Sequence, residues 1–538
     1  MAATSTSTSI QPLVSGLEPY AGVWDRRMAA HLLRRASFGP TRQEIQDAIS
    51  MGLDNTVDTL LASLALPDPP LNPDFPDDPY VPIGSTWVDQ PYADTGSNFR
   101  WRSLRGWLIN SLQDPYLNIR EKMVLFWANH FGMADVGDER VQYDYVRLYR
   151  GFATGNFRDL VKAVTVHPSM LMFLNGNVNH KDSPNENYAR ELLELFTIGK
   201  GPQIGPGDYT NYTEQDIQQM ARILTGWITV GVWSGEPGIL PHSAFDDYRH
   251  DSNSKTLSHR FDNVTFNDEG DEEYASLIDL IFTKEEVSRF ICRKLYRYFV
   301  YYKWDDAVEQ AVIEPLAQIF RDNNYEIAPV LAALFRSTHF YEIGTVGDVI
   351  KNPLEFILGV TRPMDWGRDN FPMALKYDSG NALHWWASQL DLDFFFPPSV
   401  SGWPSWHLTP SYNRLWLNSS TLQRRVDLTQ GIGWSGIWVD GEGRPMDWLG
   451  FITTFDDPTD PNELVREFAE VFLPQELQTE QLDELKESLI PGLPDFEWTV
   501  EYGTHLSNPD DEMLRESVIR KIRALARTLF RMAEFQLN

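Results

Sequence analysis

The sequence predicts a mainly α-helical protein, a multi-helical globular array with long irregular loops and at most short β-hairpins between residues 229 and 262. Two observations carry that class. Nearly every patterned stretch repeats its apolar residues at three- and four-residue spacing, and several open on a capping residue. Hydrophobic residues make up 42% and aromatic residues 13% of the chain, enough to bury a large core. At 538 residues the chain exceeds one ordinary core, so two or three packed subdomains are expected.

In chain order, residues 1–20 read as a disordered, Ser/Thr-rich lead without the basic and apolar regions of a secretory leader. A helical core is expected over 21–425. Ala29, Leu32, Leu33 and Ala36 share one helix face, Gly39-Pro40 ends that helix, and Thr41 with Glu44 forms a capping box for the next. Arg34 and Arg35 suit either an anionic group or the C-terminal end of their helix. Residues 66–98 hold eight prolines and no Lys or Arg, an irregular excursion that is either a lid or a surface wrap. Helical periodicity resumes at 101–111 and again at 120–131, which delivers Asn129 and His130 to a helix end. Thr213 and Asp216 form a second capping box. Residues 426–538 read as an acidic helical region packed on the core. Its 455–516 stretch holds eighteen acidic residues against Arg466, Lys486 and Arg515, the composition of a solvated face.

The stretch 175–199 organises the rest. Five asparagines in thirteen residues form a polar loop that feeds a helix, with Ser183 as expected N-cap, Pro184 at the first position and Gly199 at the C-terminal cap. Tyr188, Leu192, Leu195 and Phe196 make a buried stripe, and the stripe Glu186, Arg190, Glu194 flanks it. Read blandly, the second stripe is a solvated face laced by ion pairs of about 0.3–0.5 kcal/mol each. The asparagine-rich entry argues instead for a dense hydrogen-bonded site.

Asn185-Glu186-Asn187-Tyr188-Ala189-Arg190-Glu191-Leu192-Leu193-Glu194-Leu195-Phe196-Thr197 resembles the signature of a bacterial family, domain of unknown function 1800. His31 to Gly39, Arg120 to Gly132, His250-Asp251 with Lys255, Pro397 to Pro404, Asn413-Arg414 and the ending Glu534-Phe535-Gln536 resemble its other segments, so the likeness spans about residues 22–538. The resemblance implies no activity. It implies exported relatives and a protein partner from domain of unknown function 1501. Family members often carry a second His where this chain has Ala128, which weakens a two-histidine metal model.

Candidate catalytic residues are His130, Glu191, His250 and Asp251, since carboxylates beside histidines serve as acid and base or as ligands for a divalent ion. Asn129, Asn185, Glu186, Asn187, Arg190, Lys255 and Trp403 are candidate binding residues, and Glu191, Glu194 and His130 a candidate metal set. His130, Asn187, Glu191 and His250 or Asp251 are expected around one pocket. Thiol-free ligands favour Mg, Mn, Ca or Fe. Cys292, the sole cysteine, excludes an intrachain disulfide and reads as a buried structural thiol. A net charge of −30 argues against nucleic acid as the main partner. No apolar run reaches the roughly 18 residues of a transmembrane helix. As it stands the sequence places the protein in the cytoplasm, or outside it if a leader is missing. Two functions compete: a metal-dependent enzyme acting on a polar polymer such as a glycan, with Trp403 and Trp406 as stacking platforms, and a non-catalytic export, assembly or surface-interaction factor.

Overall fold

A computed structural model describes residues 15–342, 344, 346–368 and 371–538. The described chain is mainly helical, and its sheets are two-stranded antiparallel hairpins. Two hairpins fall in or beside the expected window: Trp227–Val230 pairs with His242–Phe245, and Lys255–Thr256 with Thr265–Phe266. Two more lie outside it, at Gln203–Gly205 with Asp208–Tyr209 and at Ile437–Val439 with Glu442–Arg444. Among the described residues no helix is long and apolar enough to cross a membrane.

Local rules account for most elements. Thr41 and Thr213 both form their capping boxes, at the starts of Arg42–Leu61 and Glu214–Ile223. Ala29, Leu32, Leu33 and Ala36 are all buried on Arg26–Ala36. Cys292 is buried in Glu285–Phe299, and burial pushes its thiol up, away from reactivity.

The expected disordered lead falls partly outside the described residues. From Ser15 onward it is held: the Tyr20 N–H donates to Arg336 O at 2.8 Å, and the Thr338 N–H to Glu18 O at 2.8 Å. The 66–98 excursion is a wrap rather than a lid. Trp87 is fully buried with its indole N–H on Ser103 Oγ at 3.0 Å, and Asp78 takes the Arg100 guanidinium at 2.8 and 3.0 Å. Charged residues hold its far end too. Glu139, buried against Arg100, has its carboxyl pushed up to about 7, chiefly by burial.

The boundary expected between 425 and 426 cuts the helix Ser419–Trp434. One continuous hydrophobic core joins both sides of it. Lys351 sends its ammonium to Phe535 O at 2.9 Å, and Arg425 reaches Lys351 O at 2.7 Å and Gln536 Oε1 at 3.0 Å. The acidic region therefore packs on the same core, with most of its carboxylates at the surface and Glu467 buried against Arg42 at 2.9 Å.

Candidate functional site

The central segment folds differently from its simple periodic reading. Ser183 is exposed, its N–H closing a turn on His180 O at 2.9 Å, and Asn185 takes the N-cap role by accepting from the Asn187 N–H at 2.9 Å. Glu186–Glu191 is a short α-helix that continues as a π-helix over Leu192–Thr197. A π-turn bonds i to i+5 and takes in one extra residue, so it rotates the residues beyond it about the helix axis. Leu192, Leu193 and Phe196 are consequently fully buried, and Leu195 is only half-buried. Gly199 ends the turn at φ +70°, where a side chain would also meet the Phe290 ring.

The widened turn leaves two carbonyls at its end, and side chains from other helices satisfy them. Lys294 donates to Leu195 O at 2.8 Å, and His130 donates from Nε2 to Phe196 O at 3.0 Å. The His130 Nδ1 faces Lys294 Nζ at 3.0 Å. Burial, then the Lys294 charge, holds His130 well below its ordinary value. Lys294 is lowered to about 7, by burial first and then by Arg297. His130 also packs among the rings of Trp127, Phe131, Phe157 and Phe196. Both of its nitrogens are thus engaged in closing the π-turn.

The neighbouring polar stripe is an ion-pair clamp. Arg190 grips Glu214 through two bonds of 3.0 and 2.7 Å and also touches Glu186 at 3.2 Å. Glu194 accepts from the Tyr212 hydroxyl and from Lys200 at 3.3 Å. Glu191 is half-buried, and burial followed by the Glu194 charge raises its carboxyl. Asn187 is exposed. The residues expected around one pocket therefore have different surroundings: His130 lies among core rings, Asn187 faces solvent, Glu194 belongs to the clamp, and Glu191 stands half-buried beside it.

Trp403 is 1% exposed, leaving no ring face open for stacking, and its T-shaped partner Trp406 packs on Tyr298 and Trp416 as well. Asn129 pins this loop by accepting from the Trp403 N–H at 3.0 Å. Gly402, at φ +81°, comes so close that a Cβ would stand 2.2 Å from Asn129 Oδ1. Trp403 is core and Trp406 packs half-buried against it, so the glycan expectation loses Trp403 as a platform.

His250 and Lys255 converge on Glu273, while Asp251 turns to Arg222. Lys255 lies fully buried with its ammonium 2.8 Å from each oxygen of Glu273, which opens the helix Glu273–Ile281. His250 is buried with Nδ1 on Thr225 O at 2.9 Å and Nε2 on Glu273 Oε2 at 2.9 Å. Burial lowers the His250 pKa, but the bonds to Glu273 and Thr225 outweigh it and leave the imidazole raised. Asp251 works one layer out. Burial opposes its charge, but Arg222 at 2.6 Å and the two Asn253 donors bring its carboxyl down to about 2.

Asp268, exposed, stands 3.7 Å from His250 Nε2. Ligand atoms of His250, Asp268 and Glu273 all lie within 4.8 Å of one another, and among the described residues this is the group of three or more that could hold a metal ion. The Nδ1 bond to Thr225 O favours the tautomer that presents Nε2 to an ion, the usual outer-shell arrangement for a ligand histidine. The group shares no residue with the expected metal set Glu191, Glu194 and His130.

Glu273 and Asp268 went unread because they sit in the acidic run 268–273, where composition says only that the segment is solvated. A signal was present: Glu273 shares its i, i+4, i+8 face with Leu277 and Ile281, both fully buried.

No curated protein and no solved structure matches the chain. A family model described as protein of unknown function, DUF1800, matches residues 31–537, and the chain belongs to that family.

Proposed function

We propose that the protein binds a divalent cation through His250, Asp268 and Glu273 and acts through it as an enzyme on a polar substrate. The observation that supports this reading is the convergence of one imidazole and two carboxylates within 4.8 Å, two of the three buried and the third at the solvent rim. Buried His250 and Glu273 would fix an ion, and exposed Asp268 leaves its outer side approachable. One nitrogen and carboxylate oxygens suit Mn or Fe better than Mg or Ca, whose ligands are oxygens. Asp251 and Thr225 act as positioning residues, the first through the loop turn and the second through the imidazole.

A second reading has its own observation. Lys255 already neutralises Glu273 inside the protein, as a structural lock would, and a protein built on such locks fits a non-catalytic factor with a protein partner. Elemental analysis of the purified chain separates the two. The metal reading expects about one divalent ion per chain, lost in Glu273→Gln and His250→Ala. Lys255→Met should then keep the ion or bind it more tightly, because a competing cation is gone. A metal-free wild-type chain, with Lys255→Met destabilised by about 3–5 kcal/mol in urea unfolding, would overturn the metal reading in favour of the lock.

A further inference from the structure

The helix Phe496–Ser507, in the acidic C-terminal region, shares no residue with the His250 group, and its two sides differ sharply. Trp498, Tyr502 and His505 are buried on one side, and Glu501 turns towards Lys521 and Ser517 of the neighbouring helix Glu512–Leu529. The other side carries Phe496, Val500, Gly503 and Leu506 at four- and three-residue spacing, one stripe along the helix. Phe496 is 60%, Val500 61% and Leu506 52% exposed. The hydroxyls beside them donate inward: Thr504 to Val500 O at 2.6 Å, Ser507 to Gly503 O at 3.0 Å and Thr499 to Thr459 O at 2.9 Å. This side therefore holds no charge and presents mainly carbon, on a protein of net charge −30. Single exposed apolar residues are ordinary, whereas a charge-free stripe along a surface helix marks an interaction face.

Gly503 points the same way. A glycine inside a helix weakens it relative to alanine. The Gly503 backbone is helical and a Cβ there would meet nothing within 4 Å, so neither a turn nor close packing within the chain calls for glycine. A bare backbone midway along the stripe lets a second helix come close, since the side chains at the contact set the distance between helix axes.

Charge selects the occupant. Residues 480–516 hold eleven carboxylates against Lys486 and Arg515. Both cations are already taken, Lys486 by Asp495 at 3.3 Å and Arg515 by Glu512 at 3.4 Å. Among the described residues no cation pairs with Glu497, beside the start of the stripe, or with Asp510, just past its end. A second copy of the chain would set one acidic rim against another, and an anionic lipid surface would meet the same repulsion. A helix with an apolar face flanked by basic residues complements both the stripe and its rim.

We infer that the outer face of Phe496–Ser507 docks an amphipathic helix of a protein partner, apolar on one side and flanked there by Lys or Arg. The test is fluorescence anisotropy of a labelled peptide of roughly 18 residues, about five helical turns, titrated with the full chain. The peptide carries Leu along one helical face and Lys on its flanks, and a control of the same composition has its order scrambled to break the face. The amphipathic peptide should bind saturably, more weakly as salt rises, and about tenfold or more tighter than the scrambled one. Phe496→Ser and Gly503→Gln should each weaken it about tenfold or more. Both positions face outward, so thermal unfolding should show the two variants folded. Equal binding of the scrambled peptide, no saturable binding, or undiminished binding in both variants would overturn the inference. So would a dimer in light scattering that Phe496→Ser dissolves, which would make a second copy the occupant. Sedimentation with phosphatidylserine vesicles that the same variant abolishes would likewise assign the face to a lipid surface.

Discussion

At the scale of single residues, chemically similar side chains take different roles because their partners differ. His130 and His250 are both buried histidines in stretches that resemble family motifs, yet burial beside Lys294 lowers one and the Glu273 bond raises the other. His31, fully inside the core with Nε2 on Phe340 O at 3.1 Å, is also held well below its ordinary value, by burial and then by Arg35. His31 and His130 are therefore neutral when folded and gain protons only on unfolding. The unfolded chain binds more protons below the ordinary value of 6.5, so their share of stability is present above pH 6.5 and lost as pH falls below it. From pH 7.5 down to pH 5.5 these two imidazoles push the urea midpoint down, against Glu139 and His250, whose raised values push it up. The His130→Gln midpoint should fall less, or rise more, than the wild-type one over that range. Equal slopes for the two proteins would remove His130 from the account.

At the scale of elements, the π-turn at Leu192–Thr197 decides which side of the central helix is core. An uninterrupted α-helix would put Leu195 inward with Leu192, at three-residue spacing. The extra residue in the turn buries Leu193 instead and lifts Leu195 to half-burial. Leu192→Ala and Leu193→Ala should each cost about 2–5 kcal/mol, the range for a fully buried leucine, and Leu195→Ala clearly less. Urea unfolding of the three variants measures the order, and a larger loss for Leu195 than for Leu192 would contradict the turn. The same element explains why the signature segment is so polar without being a pocket. Arg190 docks it on Glu214–Ile223, and Lys294 and His130 close its carbonyl end.

At the scale of the whole molecule, the C-terminal region completes the core. Phe535 packs edge-on against Phe356 and tilted against Phe530, and Phe472 edge-on against Phe530, so rings from residues 356 to 535 form one aromatic cluster. Lys351 and Arg425 tie the same region together by reaching backbone carbonyls and Gln536. A chain ending at residue 425 would cut a helix and strip Phe356 and the core around it of their C-terminal partners. It should lose cooperative thermal unfolding and bind a hydrophobic dye. A sharp transition for the truncated chain would establish 21–425 as an independent domain after all.

Local physics determined much of this protein directly in its sequence. The helical class, the capping boxes at Thr41 and Thr213, the buried face of Arg26–Ala36, the glycine stop at Gly199 and the inert Cys292 all follow from interactions within a few residues. His250 and Asp251 in a loop and Lys255 on the short strand after it were legible as a group because helix patterning could not explain them. Tertiary structure alone decided what they face. Glu273 lies 18 residues beyond Lys255, and Arg425 and Gln536 meet across more than a hundred positions. No periodicity encodes such meetings, because a side chain's partner across the core is set by how helices pack and not by its neighbours in the chain. The π-turn belongs to the same class: Lys294 and His130, which satisfy its carbonyls, reach it from two other helices.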